Sequence, residues 1–187
     1  MYFGTDTEFP VNRRIWIGCI TAILITGAIA RAAETLRIVP IVGGDQMLVS
    51  FELADGYTSE VRDAIASGLR TTFTYDVGLR MVVPAWVDRT IATAAVTTID
   101  QYDNLTRRHS LTRMIDGRIV EALVTEDDSV VERWLTIVSR MPLCPTARLD
   151  SNRDYYVQIS ARARPRGSSL LGWANAITGQ AQFTFIP

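Results

Sequence analysis

The chain has 187 residues, 48% of them hydrophobic and 21% charged, and a formal charge of −1. This length and composition fit one globular domain and exclude a disordered or fibrous chain; the charge balance argues against a dedicated nucleic-acid binder. All 19 basic residues are arginine, and the sole histidine (His109) is joined by two cysteines (Cys19 and Cys144), which excludes lysine Schiff-base chemistry, a P-loop, a multi-histidine metal site and a CxxC pair.

Near the N-terminus, Arg13 and Arg14 precede an apolar run, Ile15 to Ala30, and Arg31 follows it. As a helix this run would rise about 24 Å, short of a ~30 Å hydrocarbon core. Small residues at Ala28, Ala30 and Ala32 form two overlapping A-x-A sites. The pattern predicts a secretory signal peptide over residues 1–32, with an uncleaved anchor as the alternative. Either reading places the folded part in the periplasm or on the outer face of the inner membrane, with membrane contact only through this segment. Asp6, Glu8 and Pro10 suit a signal poorly and point to Val11 as the start. Without residues 1–32 the formal charge is −2 and Cys144 stands alone, so the core must hold residues 33–187 without an internal disulfide.

The remainder alternates mainly with the two-residue period of strands. Leu36 to Val42 and Met47 to Leu53 flank the turn Gly43-Gly44-Asp45. Val61, Ala64, Ile65 and Leu69 follow helical spacing after Thr58 or Ser59 as cap, with Gly68 as the stop. Phe73 to Val83 is the cleanest strand, ended by Pro84, and Arg89 to Tyr102 alternates more weakly. Asp116-Gly117 predicts a hairpin in which Arg113 faces Val120 and His109 faces Val124. A second helix carries Val131, Trp134, Leu135 and Val138, with Thr125 as cap and Pro142 as stop. Strands at Tyr155 to Ala163 and Ala181 to Phe185 close the chain. The expected fold is α+β, mainly antiparallel, a sandwich or partly open barrel of about eight strands with two helices packed on it.

Three blocks, LVSFELADGYTSEVRDAIASGLRTTFTYDVGL, QYDNLTRRHSLTRMIDGR and WANAITGQAQFTFIP, resemble DUF4390, a family of bacterial exported proteins. The resemblance covers roughly Leu36 to Pro187 and implies an envelope location and a β-rich domain. It brings no catalytic residues with it. It also implies a gene-neighbourhood association with sensor histidine kinases.

Asp103 and His109 form a candidate base pair, with Ser110 or Thr112 as nucleophile. Neighbouring strand residues face opposite ways, however, so Ser110 and Thr112 point away from His109. A turn built on Asp103 and Asn104 with Tyr102 beside it is the favoured reading. His109 lacks enough partners for a metal, since no other His or nearby Cys exists and, of the carboxylates that could assist, Asp103 and Glu121, the latter is predicted on the opposite face of the hairpin. Glu126-Asp127-Asp128 reads as complement to a helix N-terminus, not as a calcium loop. Arg113, with His109, is expected on or at the rim of the inward face. Arg162, Arg164 and Arg166 form the densest basic patch, a candidate contact for anionic lipid headgroups or an acidic partner, although a solvated strand end is the plainer reading. Trp173 is a further candidate contact, yet it and Trp86 are expected to pack. These features predict no cofactor or catalytic set. They predict a protein-binding or structural module whose partner is another envelope protein, with an apolar-ligand carrier as the alternative and a His109/Asp103 hydrolase less favoured.

Overall fold

The computed structural model describes residues 35–165 and 176–186. Within them lie nine strands in two antiparallel sheets, not closed into a barrel. The smaller sheet holds β1 (Leu36–Gly43), β2 (Gln46–Leu53) and β7 (Ile137–Pro145), with β2 in the middle. The larger sheet contains β3 (Thr71–Met81), β4 (Arg89–Asp103), β5 (Arg108–Ile115), β6 (Arg118–Thr125), β8 (Arg153–Pro165) and β9 (Ile177–Phe185). Its order is β6-β5-β4-β3-β8-β9.

Alternation in the sequence becomes the inner faces of these sheets. Phe73, Tyr75, Val77 and Leu79 of β3 are buried beside Tyr155, Val157, Ile159 and Ala161 of β8. Met47, Val49, Phe51 and Leu53 of β2 close over them; the Phe51 and Tyr75 rings meet at 4.9 Å. At one margin Leu36 packs on Gly179, where a Cβ would lie 3.2 Å from Leu36.

The helices cover the rest of this core. In α1 (Ser59–Ala66) the Thr58 hydroxyl accepts from the Val61 N–H, and Val61 and Ile65 are buried. Gly68 ends the turn at φ +76°, with the Asn104 amide 2.9 Å from where a Cβ would stand. Leu69, expected on the helix's apolar face, is instead exposed because it falls beyond the helix end.

The second helix departs from expectation. It is capped by Asp127, not Thr125, and α2 (Asp128–Thr136) passes directly into β7. Pro142 does not stop a helix; it lies within β7. Proline removes a ladder donor and is tolerated on edge strands, and the outer strands β1 and β7 carry Pro40, Pro142 and Pro145 while β2 carries none. A bulge at Ser139-Arg140 bends β7, with Arg140 at φ +51° and its N–H donating to the Ser50 hydroxyl at 2.9 Å.

Cys144 is buried on β7 opposite Met47. Burial pushes its thiol pKa up, which disfavours the reactive thiolate. Native protein should therefore label at Cys144 far more slowly than unfolded protein in a quantitative thiol assay.

Candidate functional site

Two polar residues of β5 point inward with Leu111: His109 and Arg113. His109 is only 3% exposed, and its Nδ1 lies 3.0 and 3.2 Å from the two carboxylate oxygens of Asp100, which is 0% exposed. Tyr102, opposite His109, lies against the imidazole with ring centroids 4.5 Å apart and planes tilted by 33°. On the other side of the ring, Nε2 is 3.3 Å from the exposed carboxylate of Asp128, the first residue of α2. Burial raises the Asp100 carboxyl pKa, and His109 opposes that shift. A cavity of about 470 Å³ opens beside this pair, lined in part by Tyr57, Arg62, Asp63, Tyr102 and Asp128. Burial, then the Asp128, Asp100 and Glu132 charges, pushes the Tyr57 phenol up to about 12, with Arg62 opposing them.

Arg113 grips the other end of the same helix. It donates through Nη2 to the carbonyls of Trp134 and Ile137, both at 3.1 Å, and through Nη1 to Glu121 at 2.9 Å. Its guanidinium lies 4.4 Å from the Trp134 ring centroid. The Tyr75 and Thr98 hydroxyls donate to the Leu135 carbonyl, at 2.6 and 3.2 Å. Carbonyls at a helix C-terminus lack intrahelical partners and must find others when buried; here Arg113, Tyr75 and Thr98 supply them. Four strand residues span about 13 Å, close to the length of a nine-residue helix. His109 and Arg113 therefore reach the start and end of α2 at once and brace it along β5.

This arrangement corrects the expected pairings. Asp103 does not pair with His109; its carboxylate accepts from the Leu105 N–H and the Thr106 hydroxyl, both at 2.9 Å, within the turn. Asn104 belongs to that turn and lies against Gly68. A bulge in β6 leaves Val120 without a partner on β5, so Arg113 faces Glu121 and His109 faces Thr125. Glu121 is therefore on the same face as Arg113, not opposite. Ser110 does face away from His109.

Arg162 pairs with Asp76 at 3.3 Å, and Arg164 takes the strand position opposite Thr72. Arg166 and Trp173 lie outside the described residues. Trp86 does not pack: a tight turn with Ala85 at φ +60° leaves it 81% exposed.

Asp127 caps α2 by accepting from the Ser129 N–H at 2.8 Å. Hydrogen bonds from Ser129 hold its carboxyl below the usual carboxylate range. A depressed folded pKa contributes stability above the unfolded value and loses it as pH falls through the folded value. Asp127→Asn keeps a capping oxygen, so its melting temperature should decline less on acidification than that of the native protein.

Beyond the brace stands β6, an edge strand. Every residue from Arg118 to Val124 is exposed, including Ile119 at 67% and Val124 at 60%. A family model described as Domain of unknown function (DUF4390) matches residues 30–168. The chain belongs to this family. The match contains the two blocks at Leu48–Leu79 and Gln101–Arg118 and, with them, Asp100, His109, Arg113 and all of β6; the closing block from Trp173 lies outside it. Neither curated proteins nor solved structures give a significant match. Among the described residues of this DUF4390 domain, no helix is long and apolar enough to cross a membrane. Nor does any group of His, Cys, Asp and Glu among them form a metal cluster; Asp100 and Asp128 approach opposite nitrogens of one ring.

Proposed function

We propose that this protein is an exported envelope module that binds another envelope protein along β6 and performs no chemistry of its own. The observation that carries this reading is the state of the sheet edges. An unpaired edge offers a row of N–H and C=O groups to any extended chain and is normally blunted. β1 and β7 carry prolines, and β9 lies against the start of β1. Among the described residues β6 has neither protection, and Ile119, Val120, Leu123 and Val124 stand exposed along it. Strand addition with aliphatic contacts is an established mode of peptide capture.

Other observations favour binding over the alternatives. The face of Phe73, Tyr75 and Leu79 is filled by Phe51 and its neighbours, with all three side chains at 0% exposure, which disfavours a lipid carrier. His109 Nε2 faces the Asp128 carboxylate and not a hydroxyl or thiol that it could deprotonate, which disfavours a hydrolase with a Ser110 or Thr112 nucleophile. The arginine-flanked apolar run near the N-terminus supports export, and a sensor histidine kinase is the first partner to test.

The double variant Ile119→Asp/Val124→Asp tests the reading. Exposed substitutions rarely move stability by more than about 0.5 kcal/mol, so the melting temperature should hold while complementation of a deletion strain is lost. Full complementation by a normally stable variant would contradict the proposal.

A further inference from the structure

We propose that one end of the larger sheet docks on an anionic lipid bilayer, a contact separate from β6. Pairing of Met81 with Arg89 and Tyr155, and of Arg153 with Phe185, gathers the end of β3, the start of β4, the start of β8 and the end of β9. Three large apolar side chains project there: Trp86 (81% exposed), Val87 (80%) and Ile186 (76%). The first two sit on a turn fastened to the sheet. Trp86 N–H donates to the Val83 carbonyl at 3.1 Å, and Asp88 accepts from the Val83 N–H at 3.3 Å and from the Tyr156 hydroxyl at 2.8 Å. With Ala85 held at φ +60°, the turn presents its apolar tip in a fixed conformation before any partner arrives, which lowers the ordering cost of binding.

Charge at this end selects the partner. Arg80, Arg89, Arg148 and Arg153 are exposed here and make no ion pair among the described residues. Among the described residues the acids at this end are Asp88, Asp150, Asp154 and, beside Thr146 and Arg148, Asp45; Asp88 is turned onto Val83 and Tyr156, and Asp154 accepts from Thr184 at 2.7 Å. Guanidinium groups match phosphate geometry, and tryptophan favours the headgroup region, where one side of its ring is apolar and the other wet. Three apolar side chains are few for a protein interface of about 800 Å² per partner, whereas a bilayer takes up side chains singly.

The test attaches an environment-sensitive fluorophore to Val87→Cys in full-length Cys19→Ser protein, with Cys144 buried. The control carries the fluorophore at Leu105→Cys, in the turn at the other end of β4. With vesicles of phosphatidylglycerol and phosphatidylcholine, the label at position 87 should shift to the blue and brighten while that at 105 stays unchanged. Adding Trp86→Ser should weaken the response about tenfold, and Arg80→Gln/Arg89→Gln should weaken it while leaving the melting temperature intact. No response at position 87, an equal response at 105, or an equal response to pure phosphatidylcholine would overturn the proposal.

Discussion

Asp100→Ala should destabilise the protein by about 3 to 5 kcal/mol, the cost of leaving a buried hydrogen-bonding group without its partner together with that of a cavity. Both Asp100 oxygens face His109 Nδ1, and neither residue is open to water. Removing the carboxylate strands the imidazole N–H in the interior and leaves a cavity. Native domains commonly hold about 5 to 15 kcal/mol in total, so chemical denaturation should show a much earlier midpoint. His109→Gln is the informative contrast. Its amide can still donate to Asp100, so the loss should be about 1 to 3 kcal/mol, with the fold and biological activity retained. Abolished function in a normally stable His109→Gln protein would mean that the imidazole does chemistry.

Arg113→Met should cost about 2 to 4 kcal/mol, because it leaves partly buried carbonyls at the end of α2 without donors. The apolar stem keeps much of the packing on Trp134, so the loss reports mainly on the hydrogen bonds to Trp134 and Ile137. Arg113→Lys should recover only part of it, since one ammonium cannot copy the guanidinium's fixed fork. Trp134→Phe should lose less than Arg113→Met: the indole N–H has no partner among the described residues, and a ring remains beneath the cation. Equilibrium unfolding of the three variants ranks these contributions, and an Arg113→Met midpoint equal to the native one would remove Arg113 from the brace.

Strands buried on one face were readable because their period is two and their inner residues are large; β3 and β8 illustrate this. β7 was hidden because Pro142 resembles a helix stop and because α2 enters the strand without a turn, its cap residue Ile137 already extended. The Asp100–His109 pair was missed for a subtler reason. The Thr- and Ala-rich alternation of β4 is weak, so its pattern does not mark Asp100 as inward-facing beside the turn residue Asp103. Yet pairing Tyr102 with His109 across that turn puts Asp100 diagonally next to His109 on the same face, within cross-strand reach. The register of β6 was not readable from the hairpin signal. Asp116-Gly117 set the turn, but the bulge at Val120 shifts every pair from Glu121 onward by one. That shift turns Glu121 toward Arg113 and fixes which aliphatic residues the exposed edge presents.

Site-specific photo-crosslinking in living cells tests the role of that edge most directly. A photoreactive side chain at Val124 on β6 should trap one envelope protein, while the same group at Thr93, on the solvent face of β4, should not. The Val124 adduct should disappear when Ile119→Asp is added. No adduct at Val124, or the same adduct from both positions, would contradict the claim that β6 is the partner-binding edge.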